Sequence, residues 1–194
     1  MLARSTVSRV LLATTLVLTL PGCGYNRLVA LQESVEGAWS QVENVYQRRA
    51  DLIPNLVATV KGAADFEQET LNQVIEARSK ISQMSFEQAP DAAQLEAFQE
   101  AQGGLSSALS RLLVVVERYP ELKATQAFRD LQAQLEGTEN RIAVERRRFN
   151  EATIAYNTAR RQFPTVITAK MFGFEEKPYF QAVEGSDAPP TVEF

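Results

Sequence analysis

Between Leu28 and Phe163 apolar residues recur at alternating steps of three and four, the spacing that lines one face of an α-helix. The first seam reads Leu28, Leu31, Val35, Ala38, Val42 and Val45, widened by Trp39 and Tyr46 one place further on. Asp51 and Pro54 then suggest a break. Asp51 is suited to capping a new helix, and Pro54 fits a first turn in which no N–H bond is lost. One long helix kinked at Pro54 is the alternative. A second seam, Ile53, Leu56, Val60, Ala63 or Ala64, Leu71, Val74, Ile75 and Ile81, runs to the Ser85–Pro90 segment. Asp91 with Gln94 makes a capping-box pattern that opens a third helix along Leu95, Phe98, Gln102, Leu105, Leu109, Leu112 and Val116. Tyr119-Pro120 ends it, because a residue before proline avoids helical geometry and proline favours a first helical position. The last seam starts from Pro120 and carries Phe128, Leu131, Leu135, Thr138, Ile142, Glu145, Phe149, Ala152, Tyr156, Ala159 and Phe163. It crosses Gly137 without losing phase and closes at Pro164.

Long amphipathic helices on short connections, with few strand signals, predict an all-α protein. The arrangement expected is an antiparallel up-down bundle of four helices, or of three long helices if the chain only kinks near Pro54. The fourth seam is much longer than the first, so part of it must overhang, bend or find another partner. In up-down order its end returns to the start of the first helix.

That start has its own chemistry. Arg4 and Arg9 precede an apolar run at residues 10–20 that is too short to span a bilayer. Leu20-Pro21-Gly22-Cys23 follows and resembles the bacterial lipobox, in which the cysteine receives diacylglycerol, becomes the first residue after cleavage and is then acylated on its new amino group, palmitate being a typical chain. Residues 1–22 therefore read as a lipoprotein signal peptide, 23–180 as a helical domain and 181–194 as a disordered tail rich in Gly, Ser and Pro. An ordinary cleaved signal and an uncleaved anchor are the other readings of the first segment. Cys23 is the only cysteine in 194 residues, and lipidation would protect it from oxidation while two or three acyl chains hold the chain firmly at a membrane. The expected location is extracytoplasmic, on a bacterial membrane. Gly24 at the sorting position favours the outer membrane, facing the periplasm, in a source with two membranes.

Charge and composition narrow the chemistry. With 24 acidic against 20 basic residues, and Arg4 and Arg9 lost with the leader, the mature chain does not suit nucleic acid. There is no histidine, which removes histidine triads, the usual zinc sites and the Glu-x-x-His di-iron pattern. Ser106, Ser107 and Ser110 have no base at useful spacing, and Gly103-Gly104 lacks the strand and spacing of a phosphate loop, which leaves close helix packing or a local bend. No enzyme activity, metal or cofactor is assigned. Protein partners and self-association through helical surfaces are expected.

Polar residues on the seams are the remaining candidates. Gln102, Thr138 and Glu145 stand where apolar side chains are expected, and Glu67 and Arg78 fall near the second seam. They make either a register-fixing network, with Glu145 paired to Arg49 or Arg78, or an internal ligand site. Arg146-Arg147-Arg148 reads as a solvated surface with Arg147 paired to Glu151. The apolar segment Phe163–Phe180 either covers the open end of the bundle or lies against the bilayer.

The stretches around Arg49-Ala-Asp51-Leu-Ile-Pro54-Asn55, Tyr119-Pro120, Glu139-Asn140-Arg141-Ile-Ala and Arg146 with Phe149-Asn150 together resemble the LemA family over nearly all of the mature chain. The resemblance implies a membrane-attached, largely extracytoplasmic helical bundle with no established catalysis or cofactor. Many relatives carry an N-terminal transmembrane helix where this chain has a lipobox, and a magnetosome-associated branch suggests roles in membrane organisation. Family-signature positions without an assigned role are Asn26, Trp39, Arg49, Asp51, Pro54, Asn55, Tyr119, Pro120, Asn140, Arg141, Glu145, Asn150, Tyr156, Asn157 and Pro164.

Overall fold

The structure, a computed structural model, describes residues 2–62 and 67–181, with side chains from Gly24 onward. The described part is all-helical: α1 (Leu2–Lys61), α2 (Gln68–Ser82), α3 (Ala92–Val116), a single turn α4 (Pro120–Lys123), α5 (Gln126–Arg161) and a short α6 (Thr165–Phe172). Four long helices run up, down, up and down. Trp39 of α1 meets Phe149 of α5, while Arg49 ten residues on meets Glu139 ten residues back, so the two helices are antiparallel. Phe98 and Gln102 of α3 face Trp39 and Arg49 in the same order, which makes α3 parallel to α1.

The expected break at Asp51 does not occur. α1 continues through Pro54 to Lys61, and the connection falls after it, beyond Gly62. A proline inside a helix leaves the carbonyl four residues earlier without a donor. Here that carbonyl belongs to Ala50, and Arg78 of α2 supplies a substitute, its Nε donating to Ala50 O at 3.1 Å. Asp51 caps nothing; its carboxylate accepts from Gln47 one turn earlier. The second seam is therefore shared between the end of α1 and α2. With α1 extended, the long final helix has a partner of matching length, and the overhang problem disappears.

The last seam also divides. Pro120 starts α4 as expected, but Thr125 caps a fresh helix, its Oγ1 accepting from Phe128 N at 3.3 Å, and α5 begins there. The Asp91–Gln94 capping box is present in both directions. α5 is continuous across Gly137, where a Cβ would meet open space. Gly103 and Gly104 are equally open, so they do not serve close helix packing.

The core has two parts. The distal cluster is largely aliphatic: Leu56 and Val60 of α1, Leu71 and Val74 of α2, Leu105 and Leu112 of α3, closed by Phe128 of α5. The other cluster is aromatic, with Trp39 surrounded by Phe86, Phe98, Phe149 and Phe180 at ring separations of 5.4–6.2 Å. Edge-to-face geometry prevails in it, the arrangement that ring quadrupoles favour. Below the level of Trp39 the α2–α3 hairpin no longer flanks α1 and α5. Their exposed apolar stripe is covered instead by α6 and by the extended segment 174–181. The tail beyond residue 181, the leader and the Cys23 side chain lie outside the described side chains.

Candidate functional site

Three polar assemblies stand out, and they lie at different levels of the bundle. The first separates the two apolar clusters. Arg49, only 2% exposed, points from α1 into the bundle between them. Its Nη1 donates to Ser106 Oγ at 3.1 Å and to Glu139 Oε2 at 2.9 Å, its Nη2 to the Gln102 side-chain carbonyl, and its guanidinium lies 5.1 Å from the centre of the Tyr46 ring. A buried guanidinium is tolerable only with such partners; α3 supplies two of them, α5 one, and α1 the ring of Tyr46. Burial pushes the Tyr46 phenol above its ordinary value, against the pull of Arg146 and Arg49. An open groove of about 640 Å³ runs beside this layer, lined among others by Glu96, Gln99, Gly103 and Gln181.

The second assembly is a clamp on α5 that holds segment 174–181. This segment has no helix or sheet of its own, so its backbone groups need side-chain partners. Asn157 reads both groups of Lys177, donating to its carbonyl at 2.8 Å and accepting from its N–H at 3.1 Å. Seven residues earlier Asn150 does the same to Phe180, at 3.0 and 2.9 Å. Two helical turns separate the asparagines, so they stand on one face and grip the segment at two points. Tyr156 OH donates to Glu175 O at 2.8 Å and Arg146 Nη2 to Gln181 O at 2.9 Å, while the Arg146 guanidinium stacks 4.7 Å from the Phe180 ring. Arg160 pairs with Glu176 and Lys177 with Glu36 of α1. Burial raises the Tyr156 phenol as well.

The third is the end where the chain leaves Cys23. A Cβ built on Gly24 would lie 3.1 Å from Thr168 Oγ1, so α6 packs closely over the first residue after the cysteine. Tyr25 meets Phe172 and Phe174 edge-on at 4.9 and 5.7 Å. Phe163, expected on the buried seam, is 81% exposed because α5 has ended before it.

The polar seam residues do not converge. Glu67 pairs with Arg118 at the far end of the α2–α3 hairpin, Arg78 serves Ala50, Gln102 serves Arg49, and Thr138 bonds back to Gln134 O. Glu145 meets neither Arg49 nor Arg78; it pairs with Arg148 three residues along its own helix. The expected Arg147–Glu151 pair is not found among the described residues, and Arg146 turns away to the clamp. Among the signature positions, Trp39 centres the aromatic cluster, Arg49 the polar layer, and Asn150, Tyr156 and Asn157 the clamp. Tyr119 and Pro120 turn the chain from α3 into α4, and Pro164 precedes α6. Asn26, Asp51, Asn55, Asn140 and Arg141 are exposed. Sequence reasoning missed Arg160 and Lys177, which sit on no seam. The clamp had a readable signal in asparagines spaced by seven beside seam aromatics Phe149 and Tyr156.

Among the described residues no group of acidic, cysteine or histidine side chains is placed to hold a metal, and no described helix is long and apolar enough to cross a membrane. The fold and these assemblies define a helical bundle whose polar groups are spent on holding its own parts together. The LemA family model matches residues 38–194, and the chain belongs to the LemA family. It is similar to the magnetosome protein MamQ of Magnetospirillum gryphiswaldense, at 29% identity over 97% of this chain and 74% of that protein. It is also similar to the magnetosome protein MamQ 2 of Paramagnetospirillum magneticum, at 27% identity over 85% of this chain and 67% of the relative. Protein LemA of Metamycoplasma hominis is 24% identical over 82% and 69%.

Proposed function

We propose that this chain is a lipid-anchored bacterial envelope protein, held by acylated Cys23 with its bundle outside the cytoplasm, acting as a helical scaffold that presents surfaces to protein partners. The observation that carries the reading is the junction at Cys23: an apolar run and lipobox-like residues lead directly into Gly24, against which α6 packs. From there α1 extends 37 residues to Lys61, about 55 Å at the helical rise, so the distal cluster stands well off any surface to which Cys23 is fixed. Membership in one family with the magnetosome proteins agrees with a role at membranes. The polar groups support a structural reading: Arg49, Asn150 and Asn157 are engaged with other parts of this chain, and no nucleophile is paired with a base among the described residues.

A second reading, a bundle that binds a small polar ligand, has one observation in its favour. Arg49 Nε and Gln102 Nε2 are buried without a hydrogen-bond partner among the described residues, in the layer flanked by the groove. Both Nη atoms of Arg49 are already committed, however, which leaves little for an incoming anion.

Intact mass of the protein extracted from its native membranes tests the first reading. A chain beginning at Cys23 and carrying acyl groups, absent from a Cys23→Ser variant, is the expected result, and crosslinking in cells then identifies neighbours. An uncleaved, unmodified chain overturns it.

A further inference from the structure

α6 is built inside out. Its buried positions are Thr165, Thr168 and Ala169, small or polar side chains that allow close approach to Gly24. Its outward positions are Ile167 and Met171, 54% and 67% exposed, with Phe172 at its end and Phe163 just before it also largely bare. A helix meeting water on its outer face carries the reverse pattern. Five large apolar side chains, these four and Tyr25, gather at the one end of the bundle that is covalently next to Cys23.

Charge at this end differs from the rest of the molecule. The protein is acidic overall, at net −4, yet no acidic residue occurs between Glu151 and Glu175 or between Gly24 and Glu33, and Arg27, Arg160, Arg161 and Lys170 all fall in those stretches. Arg160 is paired with Glu176, while Arg27, Arg161 and Lys170 are exposed. Exposed apolar side chains flanked by cations fit the boundary between acyl chains and anionic headgroups. A water-facing surface fits them less well.

We infer that the outer face of α6, formed by Phe163, Ile167, Met171 and Phe172, sits in the interface of an anionic lipid bilayer and fixes the bundle's orientation on the membrane that holds Cys23. This deepens the anchoring reading, since the anchor sets which surface α6 meets. An acyl chain alone leaves the bundle free to tumble about its tether; a second contact on rigid helix does not.

The test uses the full-length protein purified from its membranes and reconstituted in vesicles of phosphatidylethanolamine and phosphatidylglycerol with brominated acyl chains. Tryptophan is introduced at Ile167 or Phe172, and, as a control, at the 71% exposed Val114 at the other end. Native Trp39 is buried and supplies a constant background. Tryptophan at 167 and 172 is expected to shift to the blue and to be quenched several-fold more strongly than at 114. The Ile167→Glu/Met171→Glu variant is expected to fold with unchanged thermal stability and to lose co-flotation with these vesicles when combined with Cys23→Ser. Equal quenching at 167 and 114 overturns the inference, as does a blue shift without lipid quenching, which places a second protein copy on this face. Mass measured on the same samples separates the two claims. An acylated chain with unquenched position 167 removes the seat and leaves the anchor, whereas an unacylated chain with quenched position 167 does the reverse.

Discussion

The two ends of the bundle solve one problem by different means. Distally, the stripes of α1 and α5 are covered by the α2–α3 hairpin, whose backbone is already satisfied within its own helices, and the core is mostly Leu, Ile and Val with Phe128 at its edge. Toward Cys23 the same two helices are covered by α6 and an extended strap, and the core is aromatic. Extended backbone brings unsatisfied N–H and C=O groups to the surface it covers, so α5 must meet them with side chains. Polar residues beside an apolar seam are therefore needed at one end and not at the other. The Arg49 layer marks the boundary between these two solutions.

The largest expected effect comes from the aromatic cluster. Trp39→Ala removes the ring that touches four others and should cost about 3–5 kcal/mol, measured by urea unfolding. A small loss would mean that the strap and α6 cover little of importance. Arg49→Ala should cost about 3 kcal/mol by stranding buried Gln102 while Glu139 returns to water. Glu139→Gln should cost less than 1 kcal/mol, since that carboxylate is 62% exposed. A large effect of Glu139→Gln would show that the boundary layer depends on charge more than on hydrogen bonding.

Asn157→Ala strands the N–H and carbonyl of Lys177, and Asn150→Ala those of Phe180. Each should cost about 1–3 kcal/mol, with protection lost in the strap and retained in α2 and α3. Thr125→Ala, which removes the cap of α5, should cost about 1 kcal/mol and weaken the distal end instead. The smallest effect is on pH dependence. The folded pKa of Tyr46 is raised, so stability from its burial as a neutral phenol is fully present below the unfolded value of about 10 and lost as pH climbs through the higher folded value. Tyr46→Phe should flatten the alkaline limb of a stability–pH curve.

The helices and their buried faces were legible because seam spacing is a local property of the chain. The Asp91 capping box was legible for the same reason. Continuity through Pro54 was not, because its remedy comes from Arg78, 24 residues away in sequence. Gly62, directly after the end of α1 at Lys61, is a stop signal of the ordinary kind that the seam reading did not use. The partner of Arg49 was misjudged for a related reason: Glu145 lies on the apolar phase, whereas Glu139 lies off it and reaches inward only from the rim. The segment 163–180 admitted two readings because its parts differ: residues 174–180 cover the bundle, while the outer face of α6 remains bare.

The contrast between the ends is tested most directly by amide hydrogen exchange, residue by residue, on the intact protein and on its Asn150→Ala/Asn157→Ala variant. Slow exchange at Lys177 and Phe180 in the parent, lost in the variant while α2 and α3 stay protected, is the predicted result. Fast exchange at both amides in the parent would contradict it, because the strap would then not be part of the folded bundle.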